Sequence, residues 1–222
     1  MELNDAVRTT FAARDYTGEP ISDETLYDIL ETARFAPSGG NRQGNRVIVV
    51  RDQALRERLS ELAEPAAKRY MAQINLGESP WNAVVPTKAT PEDIAATPTA
   101  GLLTEPFRTA SAVLVFVVDL RVVASMDQDL DRIGIVSGAS IYPFVWNVCL
   151  GVRQAGFGST ITTLAIAQEP KLRELLDIPP EFGVCAVVPI GKPVKQLTKL
   201  RRRPVEEIAV RERFDGSAFT KG

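Results

Sequence analysis

The stretch IGIVSGASIYPFVWNVCLGV, residues Ile133 to Val152, contains no charged side chain, although Arg132 precedes it and Arg153 follows it. Its composition predicts a helix that is apolar on every side. Such a helix must be hidden from water, inside a core, a subunit interface or a bilayer. At about 20 residues, its length alone would allow a membrane span.

Small and polar residues within this stretch argue against the bilayer. Gly134, Gly138, Pro143 and Asn147 interrupt a run that hydropathy rules expect to be more apolar in a membrane span. The Gly134-x-x-x-Gly138 spacing would let another backbone approach closely, as small residues do where helices pack tightly. We therefore expect a buried central helix in an extensive dimer interface, and no membrane segment.

The composition of the whole chain limits the class of partner. The 222 residues, 45% of them hydrophobic, can bury a sizeable core, and the length allows one domain or at most two. The 26 basic and 28 acidic residues give a net charge of −2, whereas a general nucleic-acid binder normally carries a basic excess. The expected partner is thus a small molecule or another subunit, not a nucleic acid.

The N-terminus and the cysteines bear on the compartment. MELNDAVRTT has no apolar segment of the signal-peptide type. Cys149 and Cys185 both lie in apolar runs and are expected to be buried free thiols rather than a disulfide framework. These features favour a reducing cytoplasm.

The chain contains no histidine. That absence removes Ser-His-Asp catalysis, Cys-His catalysis and every histidine-based metal site. If the protein is an enzyme, a bound organic cofactor is the natural carrier of the chemistry, because cofactors react while the protein positions and tunes them. We predict no metal site and no catalytic side chain.

Several local patterns indicate the order of secondary structure. Leu3, Val7 and Phe11 recur at i, i+4 and i+8, which predicts a first helix with these residues facing inward. A helix marked by Leu55, Leu59 and Leu62 should break near Pro65. Short apolar runs predict strands at Val47–Val50, Ala112–Val118 and Val184–Ile190.

The segment from Leu76 to about Pro106 lacks a clear periodicity and is rich in Pro, Thr, Ala and Gly. A connection this long is usually either functional, as a lid, or disordered. We expect a lid-like excursion over about 76–106. Trp81 and Phe107 could face a substrate or serve as hydrophobic anchors.

Three polar segments allow both a functional and an ordinary interpretation. The loop from Pro37 to Asn45, PSGGNRQGN, could bring bare backbone donors to a ligand or could be a surface turn, and it lacks the Lys-Ser/Thr of a phosphate-binding Walker loop. The acidic turn at Asp127 lacks the Gly and Glu of a calcium loop, so we expect a solvated helix start. The run Arg201–Arg203 could be a solvated face or could grip a phosphate.

These pieces, in this order, resemble the FMN-dependent nitroreductase family. Each motif is modest alone, but the ordered set spans nearly the whole chain. The matching segments are Arg14-Asp15-Tyr16, Glu19-Pro20, Ala36 to Gln43, Gly156-Phe157-Gly158, Ile178-Pro179-Pro180, Gly191-Lys192-Pro193 and Arg202 to Glu207.

The resemblance implies a fold and an assembly. It implies a single FMN-binding domain over residues 1–222, with an α+β fold in which a mostly antiparallel sheet is flanked by helices. It also implies an intertwined homodimer, with an FMN at each end of a long helical interface. The Ile133–Val152 helix suits that interface.

The resemblance also implies cofactor-binding residues. Arg14 and the tail arginines Arg202 and Arg203 resemble the basic residues that hold the FMN phosphate. The loop residues resemble those that lie along the flavin from the partner chain, and the residues after Ser159 occupy the place of amides directed towards the flavin N5 edge. The loop residues are Pro37, Ser38, Gly39 and Asn41, and the amide residues are Thr162, Thr163 and Leu164.

One departure from the family pattern concerns Phe11. Many members carry a basic residue just before the position of Arg14, whereas this chain has Thr10-Phe11-Ala12. Phe11 either belongs to the core with Leu3 and Val7 or fills a vacated phosphate-contact position. In the second case Arg8, one turn earlier, substitutes for the missing cation, or FMN is held more weakly.

The implied activity is a two-step oxidoreduction. NADH or NADPH would pass hydride to FMN, and the reduced flavin would then reduce a nitroaromatic, a quinone or a similar electron-poor small molecule. The alternatives are a flavin-dependent oxidase or dehydrogenase of the same fold and a non-catalytic flavin-binding dimer.

Overall fold

The computed structural model describes residues 1–221, and its centre is a four-stranded antiparallel sheet. The strand order is β1-β2-β4-β3, and every neighbouring pair is antiparallel. Helices cover the sheet, which confirms the predicted α+β architecture. The strands are β1 (Asn45–Val50), β2 (Ala112–Asp119), β3 (Gly158–Ser159) and β4 (Phe182–Gly191).

The β2 strand lies in the interior because it is apolar on both faces. Side chains of successive residues point to opposite faces of a strand. Leu114 and Phe116 accordingly lie in one core cluster, whereas Val113 and Val115 lie in the other. A strand covered on both faces reads as a continuous apolar run, and the run Ala112–Val118 was predictable for that reason.

Helices form a layer on each side of the sheet. Helix α2 begins after Ser22, whose hydroxyl accepts a 3.0 Å hydrogen bond from the Thr25 amide, and it packs with α6 over one core. Helices α3 and α5 pack over the other core. The helices are α1 (Leu3–Thr9), α2 (Asp23–Ala33), α3 (Gln53–Asn75), α4 (Pro91–Ala96), α5 (Gly101–Thr109), α6 (Tyr142–Gln154), α7 (Glu169–Leu175) and α8 (Val205–Ile208).

The predicted helix over Ile133–Val152 is wrong in its first half. Only Tyr142–Gln154 is α-helical, and a 3-10 turn occupies Val136–Ser140. Pro143 stands in the first turn of α6, where its missing amide costs nothing, and it favours a helix start there. The helix is also buried on one side only, because Val145 and Val148 are fully buried while Trp146 is 40% exposed. Within residues 1–221, no helix is both long and apolar enough to cross a membrane.

Two further helix predictions are corrected. Helix α3 continues through Pro65 to Asn75, although a proline removes one backbone hydrogen bond. Pro65 is exposed, whereas Ala63, Ala66 and Ala67 around it are buried, so packing on the core side keeps the helix intact. The region 76–106 is not featureless either, since it contains α4 and the start of α5.

The inward stripe predicted for α1 is also wrong within this chain. Leu3 is 69% exposed and Val7 is 45% exposed, and only Ala6 of this helix is buried. The helix ends at Thr9, so Phe11 does not belong to it. Phe11 is nevertheless half-buried and packs against the core cluster that contains Val113.

Candidate functional site

A cavity of about 910 Å³ lies between α3, the N-terminal end of α6 and the segment after β3. A volume of this size is in the range of about 300–1,000 Å³ that holds small ligands and cofactors. The wall is largely apolar and aromatic. Its principal side chains are Arg14, Tyr70, Trp81, Leu103, Phe107, Leu120, Ile135, Ile141, Tyr142, Ile161, Leu164 and Ile166.

Arg14 reaches this cavity because the backbone on both sides of it is tied to the sheet. The Ala13 amide donates a 3.0 Å hydrogen bond to the Ser159 carbonyl. On the other side, the Thr17 amide donates to the Lys192 carbonyl at 2.8 Å. The guanidinium itself makes only a 3.5 Å contact with the Ala12 carbonyl. Its charge therefore remains available for a ligand.

Two glycines make this close approach of the chain possible. A Cβ atom at Gly158 would lie 2.7 Å from the Ala13 side chain, and one at Gly191 would lie 2.6 Å from the Tyr16 ring. Real Cβ atoms do not tolerate such distances. Gly158 and Gly191 thus allow the close packing of the chain next to Arg14. They belong to the segments Gly156-Phe157-Gly158 and Gly191-Lys192-Pro193.

The predicted amide segment, Thr162 to Leu164, lines the same cavity as Arg14. The backbone of Thr162 is paired with Val187 of β4 by two 2.9 Å hydrogen bonds, so its own amide is engaged. The Leu164 amide donates to the Thr162 hydroxyl at 3.4 Å. Among the described residues, the Thr163 amide has no acceptor. Of the three predicted donors, Thr163 is therefore the one free for a ligand.

Thr160 belongs to the same wall and was not predicted. Its side chain is 4% exposed, and its Oγ1 has no hydrogen-bond partner within residues 1–221. Unpartnered buried hydroxyls are uncommon, because each loses the free energy of its hydrogen bonds to water. The only sequence signal was its place two residues before Thr162.

Asp127 shapes the opposite wall and corrects the expectation of a solvated helix start. The residue is 2% exposed, and its carboxylate accepts hydrogen bonds from the Ile135 amide at 2.7 Å and from Arg132 at 2.7 Å. These hydrogen bonds lower the pKa of Asp127 to about 2, and the bond from the Ile135 amide has the largest effect. A permanently charged Asp127 thus holds Gly134 and Ile135, two lining residues, in an irregular loop.

Several predicted residues lie outside the cavity of their own chain. Arg8 is exposed on α1, and the tail arginines Arg202 and Arg203 are exposed and have no acidic partner among the described residues. The predicted loop packs elsewhere, since the Gly39 amide donates to the Ser140 hydroxyl at 2.9 Å. None of the remaining loop residues, Pro37, Ser38 and Asn41, lines the cavity either.

Burial affects two ionisable groups of the cavity wall. It raises the pKa of Cys185 to about 12 and also raises that of Tyr142. Both shifts keep these groups protonated at neutral pH, and the described lining residues include no Asp, Glu or Lys. We therefore expect a reaction here to take its chemistry from a bound group.

Comparison with known proteins identifies the family. The sequence profile described as "Nitroreductase family" matches residues 7–192. An iodotyrosine deiodinase of Nematostella vectensis is 23% identical over 212 residues, which cover 94% of this chain and 74% of that protein. The "FMN reductase [NAD(P)H]" of Bacillus subtilis (strain 168) is 26% identical over 206 residues, covering 90% of this chain and 70% of that protein.

A solved structure supports the fold. The crystal structure of an oxidized iodotyrosine deiodinase bound to FMN and 3-iodo-L-tyrosine superimposes with a TM-score of 0.68. The alignment covers 96% of this chain and 99% of that one at 19% sequence identity. At that identity the likeness establishes the fold.

Proposed function

The chain belongs to the nitroreductase family of flavoprotein oxidoreductases, and from that premise we propose an FMN-dependent enzyme that oxidises NADH or NADPH. In a separate step it reduces a nitroaromatic, a quinone or a similar electron-poor acceptor. The observation that carries the proposal is the composition of one cavity. A fixed cation, Arg14, and an unengaged amide, Thr163, share it with apolar and aromatic walls.

The residues of this cavity fit FMN. Its volume of about 910 Å³ leaves space for a planar ring system together with a second ligand. Arg14 is a cation without an acidic partner among the described residues, and Arg binds phosphate by charge-assisted hydrogen bonds. The Thr160 hydroxyl and the Thr163 amide are donors that the chain leaves unpaired.

The protein would hold and tune the cofactor. When bound, FMN supplies the hydride chemistry between donor and acceptor. Arg14 would fix its phosphate. The Thr163 amide would donate a hydrogen bond to the edge of the ring and would stabilise negative charge developing there. The apolar wall excludes water, which strengthens both interactions.

We propose that a second copy of the chain completes this site. The loop around Gly39 and the tail arginine Arg202 do not reach the cavity of their own chain. Large apolar side chains are exposed, among them Phe35 at 74%, Trp146 at 40% and Phe214 at 101%. Extended apolar exposure of this kind marks an interface. A homodimer would cover these residues and bring the loop and the tail to the neighbouring cavity.

The cytoplasm is the compartment we propose for this reaction. Cys149 and Cys185 are buried and unpaired. Burial raises the pKa of Cys149 to about 11, so its thiol is protonated and unreactive at neutral pH. Free thiols are typical of proteins in reducing compartments.

The test is anaerobic spectroscopy of the purified protein reconstituted with FMN. NADH or NADPH should bleach the visible absorption of the flavin, and a quinone should restore it. A protein that binds no FMN would contradict the proposal. Flavin that binds but is not reduced by either nicotinamide would indicate a non-catalytic flavin protein. Reoxidation by oxygen without nicotinamide turnover would indicate an oxidase.

A further inference from the structure

Trp81 occupies an unusual position in the cavity wall. It lies in the connection between α3 and α4, and its φ angle is 55°. A bulky residue with a positive φ is an outlier, and such strain persists only where surrounding contacts impose it. The side chain remains 43% exposed although it lines the cavity.

A buried glutamine imposes this conformation. Gln73, in the last turns of α3, is 2% exposed, and its Oε1 accepts a 3.1 Å hydrogen bond from the Trp81 amide. Its Nε2 donates to a Glu78 carboxylate oxygen at 3.1 Å. Gln73 thus uses both ends of its amide to hold the loop that presents Trp81.

Glu78 closes the same loop from the other side. Its carboxylate accepts hydrogen bonds from the Thr87 hydroxyl at 2.6 Å and from the Lys88 amide at 2.5 Å. These hydrogen bonds lower the pKa of Glu78, and the bond from the Thr87 hydroxyl has the largest effect. Glu78 therefore stays charged at neutral pH. Residues 78–88 therefore form a strap whose two ends meet at the Glu78 carboxylate, which is itself hydrogen-bonded to Gln73.

Arg69 restricts how a ligand can meet the indole. Its guanidinium carbon lies 4.2 Å from the centre of the Trp81 ring. A cation at this distance is attracted to the ring face. Arg69 does not line the cavity, and it covers one face of the ring. A planar ligand that stacks on Trp81 must use the other face.

The charges around the cavity limit what can bind beside the cofactor. Among the described lining residues, Arg14 is the only side chain that carries a charge at neutral pH. The residues that α3 and the strap contribute on the Trp81 side are Ala66, Tyr70 and Pro80, and those of α5 are Leu103, Pro106 and Phe107.

If Arg14 and the partner's Arg202 both hold the cofactor phosphate, the described wall offers a charged acceptor no free counter-ion, because Arg69 already lies against the indole face. A carboxylate or ammonium group of an acceptor would then lose its hydration without gaining an ion pair. Burial of an unpaired charge is strongly unfavourable. An uncharged aromatic ring, by contrast, matches the apolar wall and can stack on a tryptophan.

We propose that Trp81 determines acceptor specificity by stacking on the acceptor ring, and that the site selects uncharged planar aromatic acceptors over carboxylated or zwitterionic ones. This inference rests on the proposed FMN-dependent function. Gln73 is a positioning residue, because it acts on the acceptor only through Trp81.

The test compares methyl 4-nitrobenzoate with 4-nitrobenzoate, which have the same ring and differ in one charge. In the FMN-loaded dimer, kcat/KM for the ester should exceed that for the carboxylate by about tenfold or more, as expected for one unpaired charge. Trp81→Ala should lower kcat/KM for the ester by about tenfold, mainly through KM, whereas Trp81→Phe should retain most of it. FMN affinity and the rate of flavin reduction by the nicotinamide are measured in both variants, so that a loss confined to the acceptor step can be distinguished from a general loss of the cavity.

Binding without turnover gives a second readout. In a Trp146→Phe background Trp81 is the only tryptophan, since the chain contains two. Without an electron donor, the ester should quench its fluorescence at concentrations about tenfold below those that the carboxylate needs. Gln73→Ala should weaken this quenching.

The outcomes separate the two proposals. Flavin that is reduced normally, combined with equal turnover of ester and carboxylate or with no effect of Trp81→Ala on the KM for the ester, overturns this inference alone. A protein that binds no FMN overturns both. Specificity for the ester together with its loss in Trp81→Ala supports the inference.

Discussion

The Ala13 amide donates its hydrogen bond to the Ser159 carbonyl at 3.0 Å, joining two segments that are far apart in the chain. Because Arg14 follows the donor and Thr160 follows the acceptor, this bond brings a cation and an unpaired hydroxyl to one cavity. The site therefore depends on the packing that lets the two segments approach. The same packing offers the first test.

Gly191→Ala should damage both the fold and cofactor binding. The new Cβ would lie 2.6 Å from the Tyr16 ring, and overpacking of this kind costs about 1–3 kcal/mol of unfolding free energy. Flavin retention should fall as well, because Tyr16 lies two residues from Arg14. Urea unfolding and flavin content check this. The control is Gly101→Ala, where the nearest atom is a Glu105 side-chain carbon at 3.6 Å, and a comparable loss there would contradict the packing argument.

Arg14→Ala should weaken FMN binding while leaving the fold nearly intact. Among the described residues the guanidinium makes one long contact, at 3.5 Å with the Ala12 carbonyl, so its removal exposes no buried partner. Arg hydrogen bonds to phosphate are worth about 1.5–3 kcal/mol, which corresponds to roughly a ten- to hundredfold loss of affinity. A titration with FMN, followed by flavin fluorescence, measures it. Arg8→Ala is the matched control, and an equal loss in that variant would assign a phosphate contact to Arg8.

Arg202→Ala tests whether the tail of one subunit reaches the cavity of the other. Arg202 is exposed and donates only to the Arg201 carbonyl, at 2.7 Å. We expect its removal to lower FMN affinity by roughly ten- to a hundredfold, with no change in the unfolding free energy. Equilibrium dialysis with FMN and thermal unfolding provide the two values. Unchanged flavin content would contradict a phosphate contact by Arg202. That contact would then belong to Arg201 or Arg203, or to no residue of the tail.

The sequence predicted β1, β2 and β4 because each is a short apolar run. The uncharged run Ala112–Val118 indicates a strand of a sheet that is covered on both faces. The bend in the Ile133–Val152 stretch was not predicted. It depends on Asp127, which lies outside the stretch and whose carboxylate accepts a hydrogen bond from the Ile135 amide. The hydrophobic periodicity of a sequence does not indicate a contact of this kind.

Family resemblance predicted Arg14 and Thr162 to Leu164 as cofactor-binding residues. They line one cavity, and their role in binding stays a prediction. The sequence left Trp81 open as a substrate-facing residue or a hydrophobic anchor, because its position depends on the hydrogen bond from its amide to Gln73. The unpaired Thr160 hydroxyl depends likewise on which neighbours surround it in the fold.

Asp127→Asn should destabilise the protein at neutral pH and have less effect in acid. Hydrogen bonds from Ile135 and Arg132 lower the pKa of Asp127 to about 2 from its ordinary value of 3.8. A depressed pKa in the folded state means that the carboxylate stabilises the protein above pH 3.8, and that this stabilisation is lost as the pH falls towards 2. The difference in unfolding free energy between wild type and variant should narrow over that window. A constant difference would show that Asp127 acts through packing rather than through its charge.

Phe11→Arg distinguishes a core residue from a vacated phosphate contact. Phe11 is half-buried and packs against the cluster that contains Val113, although Leu3 and Val7 are exposed. An arginine placed there would lose this packing and bring a charge against apolar side chains, so we expect a loss of about 2–3 kcal/mol of unfolding free energy. Phe11→Leu, which keeps most of the apolar contact, should cost less. If Phe11 instead occupies a phosphate position, the arginine would tighten FMN binding by about 1 kcal/mol, and added FMN would raise the unfolding temperature of the variant more than that of wild type. Thermal unfolding with and without FMN separates the two results, and the observed packing favours the loss of stability.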